Sequence, residues 1–84
     1  MQLFIRHNNN KTYVIKCEPN ITYKNLKNLI INKINDGISY NKFQLIYQSN
    51  FLENKYGENK LLNEMNISDE SQIQIRDIFF KQIK

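Results

Sequence analysis

The chain has 84 residues, with 40% hydrophobic and 24% charged side chains and a formal net charge of +4. This length allows one domain with one core. The single cysteine excludes an internal disulfide, no Cys/His cluster predicts a metal site, and no apolar run approaches the roughly 20 residues of a membrane span.

Two alternating segments open the chain and predict an antiparallel β-hairpin. Residues 2–6 and 12–17 place apolar side chains at every second position, as half-buried strands do. The side chains predicted to face inward are Leu3, Ile5, Tyr13, Ile15 and Cys17. Asn8, Asn9 and Asn10 predict the turn between them, because Asn tolerates a positive φ.

A capped helix follows the hairpin. Thr22 is a suitable N-cap, and Asp36-Gly37 is a suitable end, since Gly adopts the left-handed conformation favoured there. The apolar stripe at helical spacing contains Tyr23, Leu26, Leu29, Ile30 and Ile34. Lys27 falls largely off this stripe, so we expect it in solvent.

The remaining elements are shorter. Phe43 to Tyr47 predicts a strand, Phe51-Leu52 a very short one, and residues 54–60 an exposed polar loop containing Gly57. The apolar cluster at 61–67 suggests a single helical turn. Ser71 to Ile75 predicts a last strand, with Ile73 and Ile75 inward.

These elements predict an α+β fold in which one helix packs across a mixed sheet of four to five strands. We expect the domain to occupy residues 1–78. Residues 79–84 then form a C-terminal extension, or the start of a linker to a longer protein.

The order and spacing of several short segments resemble the ubiquitin family, and so imply a β-grasp fold over residues 1 to about 77. The segments that carry the resemblance are Met1-Gln2 with Phe4, Lys11-Thr12, Glu18-Pro19, Thr22 with Asn25 and Lys27, Gly37-Ile38, Leu45-Ile46, Leu52-Glu53, Leu62, Asn66-Ile67 and Glu70-Ser71. Extra residues are needed near the helix end and in the 54–60 loop, where insertions are tolerated.

The tail departs from the conjugated members of the family, which end in Gly-Gly. No glycine follows Gly57 in this sequence. Either the chain is a non-conjugated domain, or the natural protein continues past Lys84. Asn50 and Asp69 occupy the positions of the family's two most used chain-building lysines, which argues against a role as a polyubiquitin link.

The resemblance also implies a partner-binding face centred on an apolar residue of the third strand, here Ile46. Its neighbours have changed. The family's turn position is Asn8, and the surrounding residues are Gln44, Ser49, Gln74 and Arg76. This candidate patch is smaller and more polar than the family's. A lone exposed Ile46 would also be compatible with an ordinary protein surface.

A second candidate face, expected on the opposite side, carries Gln2, Phe4 and Thr12, with Val14 on the neighbouring strand. An exposed Phe among small polar residues suits a binding patch. It equally suits the water-facing side of an antiparallel sheet.

Catalysis is not expected. Cys17 and His7 are the candidates for nucleophilic chemistry, but Cys17 falls on the inward strand face and His7 at a strand end in solvent. The lysines, Lys27 among them, are expected to form a scattered, solvated surface. Nucleic-acid binding would require them on one face with stacking aromatic side chains.

The leading hypothesis is a non-conjugated ubiquitin-like interaction domain at the N-terminus of a longer protein. Its partners would be ubiquitin-receptor or ubiquitin-binding domains, including proteasomal ones. We expect a domain that is monomeric in isolation, cytoplasmic or nuclear, and free of cofactors, metals and membrane contact.

Two alternatives stay open. In the first, the fold is a structural subunit of a stable complex, as elongin B is, and an exposed sheet edge, the changed last strand and the apolar tail residues Phe79, Phe80 and Ile83 hold the other subunit. In the second, the chain is a modifier whose Gly-Gly tail lies beyond Lys84.

Overall fold

A β-hairpin, a long helix and three further strands follow one another in this computed structural model, which describes residues 1–7, 11–34 and 39–78. The strands are β1 (Gln2–Arg6), β2 (Thr12–Lys16), β3 (Phe43–Tyr47), β4 (Asn50–Phe51) and β5 (Gln72–Asp77). The α-helices are α1 (Tyr23–Ile34) and α2 (Leu52–Tyr56), and 3₁₀ turns span Tyr40–Lys42 and Leu62–Met65.

Within the described residues the strands form one five-stranded sheet in the order β2-β1-β5-β3-β4. β1 runs antiparallel to β2 and parallel to β5, while β3 runs antiparallel to both β5 and β4. The predicted α+β architecture with a mixed sheet and one main helix is therefore confirmed.

The core lies between α1 and the inner face of the sheet. The alternation seen in the sequence holds on the three central strands, where Leu3, Ile5, Leu45, Ile73 and Ile75 are all fully buried. The other buried apolar side chains are Ile15, Tyr23, Leu26, Ile30, Phe43, Leu52, Leu62, Met65 and Ile67. On β2 and beyond, the predicted inward residues Tyr13 and Cys17 are partly buried and pack against this core.

The predicted N-cap of α1 is confirmed, because the backbone N–H of Asn25 donates to Thr22 Oγ1 at 3.2 Å. Leu26 and Ile30 of the predicted stripe are buried. The prediction for Leu29 is wrong, since its side chain is 37% exposed. Leu29 lies beside β2, which is an edge strand, and β2 does not fully cover this side of the helix.

The prediction for Lys27 is also wrong, because only 1% of this residue is exposed. Its Nζ donates to the carbonyl of Phe43 at 2.6 Å and lies 3.7 Å from Glu53 Oε1. It also sits 4.1 Å from the centre of the Tyr40 ring. Burial lowers the pKa of Lys27, and the charges of Glu53 and Glu58 oppose that effect. The long aliphatic stem lets a cation cross the helix surface and reach these partners.

The short strand predicted at Phe51-Leu52 is displaced by one residue. β4 comprises Asn50–Phe51, and Leu52 begins α2 with its side chain 1% exposed. The two apolar residues thus belong to different elements, with Phe51 exposed at the surface and Leu52 buried in the core.

The exposed loop predicted over residues 54–60 is confirmed in part, because residues 57–60 lie outside helices and strands and Asn54, Lys55, Asn59 and Lys60 are exposed. Residues 54–56 belong to α2, and the segment that follows lies against the N-terminus of α1. The N–H groups of Tyr23 and Lys24 donate to the carbonyls of Lys60 and Glu58, each at 3.0 Å. Because the first turn of a helix has no internal acceptors, this segment completes the hydrogen bonding that α1 cannot supply itself.

The helical turn predicted at 61–67 is confirmed at Leu62–Met65, and β5 runs two residues beyond the predicted Ile75. The Asn8–Asn10 turn, the Asp36-Gly37 helix end and the tail at 79–84 lie outside the described residues. Among the helices that the structure describes, none is long and apolar enough to cross a membrane.

Candidate functional site

Both predicted faces lie on the same, outer side of the sheet. Directly paired residues of neighbouring strands project to one side. Arg6 pairs with Thr12 on β2 and with Gln74 on β5, and Gln74 pairs with Ile46 on β3. The prediction that Gln2, Phe4 and Thr12 occupy the opposite face is therefore wrong. The parallel pairing of β1 with β5, which local sequence does not reveal, places them beside the Ile46 patch.

Ile46 forms the apolar centre of this surface together with a residue that the sequence analysis did not select. Phe51 pairs directly with Ile46 across the β3–β4 ladder, and its side chain is 37% exposed. The sequence does contain a signal for the side on which Phe51 lies. A two-residue turn at 48–49 fixes the hairpin register and hence places residue 51 opposite residue 46.

That turn has an unusual backbone. Gln48 and Ser49 both adopt positive φ angles, 52° and 68°. This is the type I′ geometry of tight hairpins, in which Asn and Gly are the favoured residues. Ser49 therefore occupies a position suited to glycine, and its side chain is held at the rim of the surface by a strained backbone.

A concave cleft of about 530 Å³ adjoins Ile46. It is lined by Arg6, His7, Ile46, Gln48, Ser49, Gln72, Ile73 and Gln74. Of the predicted binding residues, the structure brings Ile46, Ser49 and Gln74 together here. The mostly polar lining distinguishes the cleft from a typical apolar ligand pocket.

Gln44 and Arg76 lie farther along the same face and do not line the cleft. They pair directly with each other across β3 and β5. The Gln44 Oε1 atom is buried without a hydrogen-bond partner among the described residues. These two side chains therefore belong to the outer rim of the patch.

Phe4 is half-buried and pairs with Val14 and with Gln72. A smaller cleft of about 200 Å³ is lined by Phe4, Arg6, Thr12 and Gln72. Arg6 and Gln72 line both clefts, so the two predicted patches form one continuous surface. Gln2 lies at the far end of β1, where its N–H donates to Asp69 Oδ1 at 2.7 Å.

The outer face has a positive electrostatic character. Its outward strand residues are Gln2, Phe4, Arg6, Thr12, Val14, Lys16, Gln44, Ile46, Phe51, Gln72, Gln74 and Arg76. Three of these side chains are cationic, and no carboxylate occurs among these described strand positions. A surface of this kind suits a partner that carries negative charge around an apolar contact.

His7 was expected in solvent, but it is largely enclosed. Its side chain is 12% exposed, and Nε2 lies 3.3 Å from Asp77 Oδ1. This contact joins the residue after β1 to the last residue of β5. It therefore fixes the position of one lining residue of the cleft.

The structure does not bring Cys17 and His7 together. Cys17 lies opposite Met1 at one end of the hairpin, and His7 lies opposite Lys11 at the other. Burial raises the pKa of the Cys17 thiol, which disfavours the nucleophilic thiolate. In the part of the chain that the structure describes, no three His, Cys, Asp or Glu side chains group as a metal site would require.

The comparisons with known proteins agree with the fold. No protein with curated annotation matches the chain significantly. The model of the ubiquitin family matches residues 3–76, which extends from the first residues of β1 to within one residue of the end of β5. Domains of this family are in general not enzymes. Because the match covers most of the chain and the sheet has the expected mixed topology, the protein belongs to the ubiquitin family.

Proposed function

We propose that this chain is a protein-interaction domain that binds its partners through the outer sheet face around Ile46 and Phe51. Its partners would be components of the ubiquitin and proteasome pathway that carry ubiquitin-receptor or ubiquitin-binding domains. In this proposal the domain binds and does not catalyse.

The paired Ile46 and Phe51 side chains carry the proposal. They form a small apolar centre on the outer strand surface, beside amide, hydroxyl and guanidinium groups. Protein interfaces commonly have this arrangement of an apolar centre and a polar rim. Phe51 compensates for the polar replacements at Gln74 and Arg76, because it restores apolar area on the opposite side of Ile46.

Charge supports a partner with carboxylates. Arg6 and Arg76 are both exposed and lie on the β1 and β5 side of the apolar centre. An acidic helix or small domain would place its apolar side chain on Ile46 and Phe51 and its carboxylates beside the two arginines. Exposed charges of this kind raise the association rate and select the partner more than they raise affinity.

An amide NMR titration of the labelled domain with proteasomal ubiquitin-receptor domains and ubiquitin-binding helices tests the proposal. We expect shifts at Ile46, Ser49, Phe51 and Gln74. Ile46→Ala and Phe51→Ala should each weaken binding by at least about fivefold, since central apolar residues dominate small interfaces.

Val14→Ala is the matched control, because Val14 is also an outward, exposed apolar residue but lies on β2 at the other edge of the sheet. Binding that is unchanged in Ile46→Ala and Phe51→Ala would refute the proposed face. An absence of shifts with every such partner would refute the proposed partner class.

The structural-subunit alternative depends on an exposed sheet edge, on the changed last strand and on the apolar tail, and the tail residues Phe79, Phe80 and Ile83 lie outside the described residues. The modifier alternative depends on what the gene encodes after Lys84, and reading that frame for a Gly-Gly pair tests it. The described residues provide no observation that favours either alternative.

A further inference from the structure

The cleft beside Ile46 is built over strand β5. Gln72 and Gln74 of β5 line it, with Arg6 of β1 on one side and the β3–β4 turn at 48–49 on the other. β5 stands between β1 and β3 in the sheet, and neighbouring strands lie about 4.8 Å apart. The cleft is therefore bounded by three backbone segments, each of which supplies polar side chains to it.

Hydrogen-bond donors dominate the lining of this cleft. Arg6 supplies a planar fork of N–H donors, Ser49 supplies a hydroxyl, and the glutamines supply amide N–H groups. Among the described residues that line the cleft, none has a carboxylate. One cation together with neutral donors favours an anion as the ligand.

The fold does not use these donors. The exposed lining side chains that make no hydrogen bond or ion pair within the described part of the chain are Arg6, Gln48, Ser49, Gln72 and Gln74. His7 differs from them, because its Nε2 lies 3.3 Å from Asp77 Oδ1. The exposed donors are therefore available to an external ligand, whereas His7 already has a partner.

The backbone of the turn is a second, independent observation. Gln48 and Ser49 hold φ angles of 52° and 68°, at positions where asparagine or glycine would be less strained. Strain of this kind concentrates at sites where a side chain has a function. Glycine at either position would relieve the strain, but it would remove an amide or a hydroxyl from the cleft.

The positions of the donors distinguish between kinds of anion. A carboxylate is planar, and its pair of oxygens is matched by a single guanidinium fork. A phosphate monoester carries about −1.5 to −2 charges at pH 7 and has three acceptor oxygens. Because the donors come from β1, from β5 and from the turn, a tetrahedral group can bond to more of them than a carboxylate can.

The surroundings of the cleft indicate which molecule carries the phosphate. Ile46 lines the cleft and pairs with Phe51, so an apolar centre begins where the polar lining ends. The other outward cations, Lys16 and Arg76, do not line the cleft. Nucleic acids are bound through cations spread along many phosphates. One cation beside an apolar centre instead matches a single phosphorylated side chain with an apolar neighbour.

We propose that the cleft binds a phosphorylated serine or threonine of a partner protein while an apolar side chain of the same segment packs on Ile46 and Phe51. The inference rests on the proposed function, because it names the anion that this same face receives. The phosphate oxygens accept hydrogen bonds from Arg6, Gln74 and Ser49.

The spacing of the strands sets the spacing of the two groups in the partner. Arg6 pairs with Gln74, and Gln74 pairs with Ile46, so two strand spacings, about 10 Å, separate Arg6 from Ile46. A phosphate held over β5 lies between them. An apolar side chain two residues further along an extended segment, about 7 Å away, then reaches Ile46 and Phe51.

Three synthetic peptides test the inference in an amide NMR titration of the labelled chain. Each is an extended segment with leucine two residues after a variable position, which holds phosphoserine, glutamate or serine. The phosphoserine peptide should shift the amides of Arg6, Ile46, Ser49 and Gln74 and bind at least about tenfold more tightly than the serine peptide, with the glutamate peptide between them. Equal affinity of the phosphoserine peptide and either of the others would overturn the phosphate site.

Charge removal tests the assignment to Arg6. Arg6→Gln should reduce the ratio of phosphoserine to serine affinities to about twofold or less, because the guanidinium supplies the charge-assisted hydrogen bonds. Lys16→Gln is the matched control, since Lys16 is also an exposed outward cation but pairs with Gln2 at the far end of β1 and does not line the cleft. Equal effects of the two variants on the ratio would overturn the proposed contact.

Further outcomes separate this inference from the proposal on which it rests. If ubiquitin-receptor domains bind at Ile46 and Phe51 but phosphoserine gives no gain over serine, the phosphate site is overturned and the proposed function stands. If binding depends on phosphoserine and none of those domains binds, the phosphate site is supported and the proposed partner class is refuted. A short single-stranded RNA or a phosphatidylserine vesicle that binds the cleft more tightly than the phosphopeptide would overturn the assignment to a phosphorylated protein.

Discussion

The two sides of strand β3 present opposite exceptions to the usual distribution of polar and apolar residues. On the outer side, Ile46 and Phe51 meet solvent among glutamines and arginines. On the inner side, the cation of Lys27 is enclosed between aromatic rings and bonds to the carbonyl of Phe43. The apolar exception is available to partners, whereas the charged one serves only the fold. Exposure and contacts, rather than residue type, therefore separate a binding surface from a structural site.

The largest effect is expected from removing the buried cation. Lys27→Ala should lower the free energy of unfolding by about 3 kcal/mol or more, because it leaves the Phe43 carbonyl without its donor and opens a cavity. Lys27→Met also removes the donor but keeps the stem volume, so it should cost less than Lys27→Ala. Chemical denaturation measures both variants.

Lys24→Ala is the control for helix propensity and surface charge, since Lys24 is exposed one turn earlier. It should change the free energy of unfolding by less than about 0.5 kcal/mol. If Lys27→Ala cost no more than Lys24→Ala, the inner site would have no structural importance and the contrast with the outer face would disappear.

Gly57 gives a second test of the fold, because it begins the segment whose carbonyls accept hydrogen bonds from the N-terminus of α1. Its φ of 84° and ψ of 175° belong to a region that only glycine occupies readily, and its N–H closes α2 on the Glu53 carbonyl. Although a Cβ here would meet no atom within 4 Å, Gly57→Ala should destabilise the fold by about 1–3 kcal/mol through backbone strain. Thermal unfolding measures the loss.

Asn54→Ala provides the control within the same helix, because its side chain is exposed and its backbone is helical. Alanine has the higher helix propensity, so the melting temperature should stay the same or rise slightly. A Gly57→Ala variant as stable as the native protein would mean that the segment after α2 can relax without disturbing α1.

The sequence predicted the parts of the fold that depend on local periodicity. Ile73 and Ile75 alternate with polar residues, and Leu3 and Ile5 alternate with Gln2, Phe4 and Arg6, so a period of two is sufficient to assign their side. Lys27 could not be assigned in this way, because its acceptor on Phe43 lies 16 residues further along the chain. Helical angle places a residue on a face, but the length of its side chain decides what it reaches.

The candidate site was predictable to a similar extent. Family resemblance selected Ile46 and Gln74, and the β3–β5 register brings them together. Phe51 was missed because its side depends on the turn at 48–49, and the side of Phe4 was misjudged because it depends on the β1–β5 pairing. Both are long-range or register effects, which a single-sequence pattern does not encode.

Raising the pH tests the interactions on the inner side of β3 without creating a cavity by mutation. Burial, followed by the charge of Glu58, raises the pKa of Tyr40 to about 12, and burial also raises the pKa of Tyr23. Since both folded pKa values exceed the unfolded value near 10, the stabilisation is fully present below about pH 10 and is lost as the pH rises towards 12. Lys27 acts in the opposite direction there, because its pKa is lowered on folding.

Denaturation at a series of alkaline pH values, with tyrosinate absorbance followed in parallel, measures this loss. Tyr40→Phe should lower the dependence of stability on pH above pH 10 and remove the late-titrating component near pH 12. If the tyrosinate component lost in Tyr40→Phe titrated near pH 10 instead of near pH 12, the hydroxyl of Tyr40 would not be held neutral by the fold.

The smallest effect is expected on the outer side, at the hairpin beside Ile46. Ser49 has a φ of 68°, where a side chain is strained and glycine is not. Ser49→Gly should raise the free energy of unfolding by about 0.5–1 kcal/mol, the relief of left-handed strain less the added freedom of the unfolded chain. Ser68→Gly is the control, because Ser68 is also exposed but does not have a positive φ, and it should be neutral or destabilising.

If Ser49→Gly stabilises the fold but weakens partner binding, the strained turn is retained for the hydroxyl at the rim of the cleft. If it stabilises the fold and leaves binding unchanged, Ile46 and Phe51 alone define the docking centre.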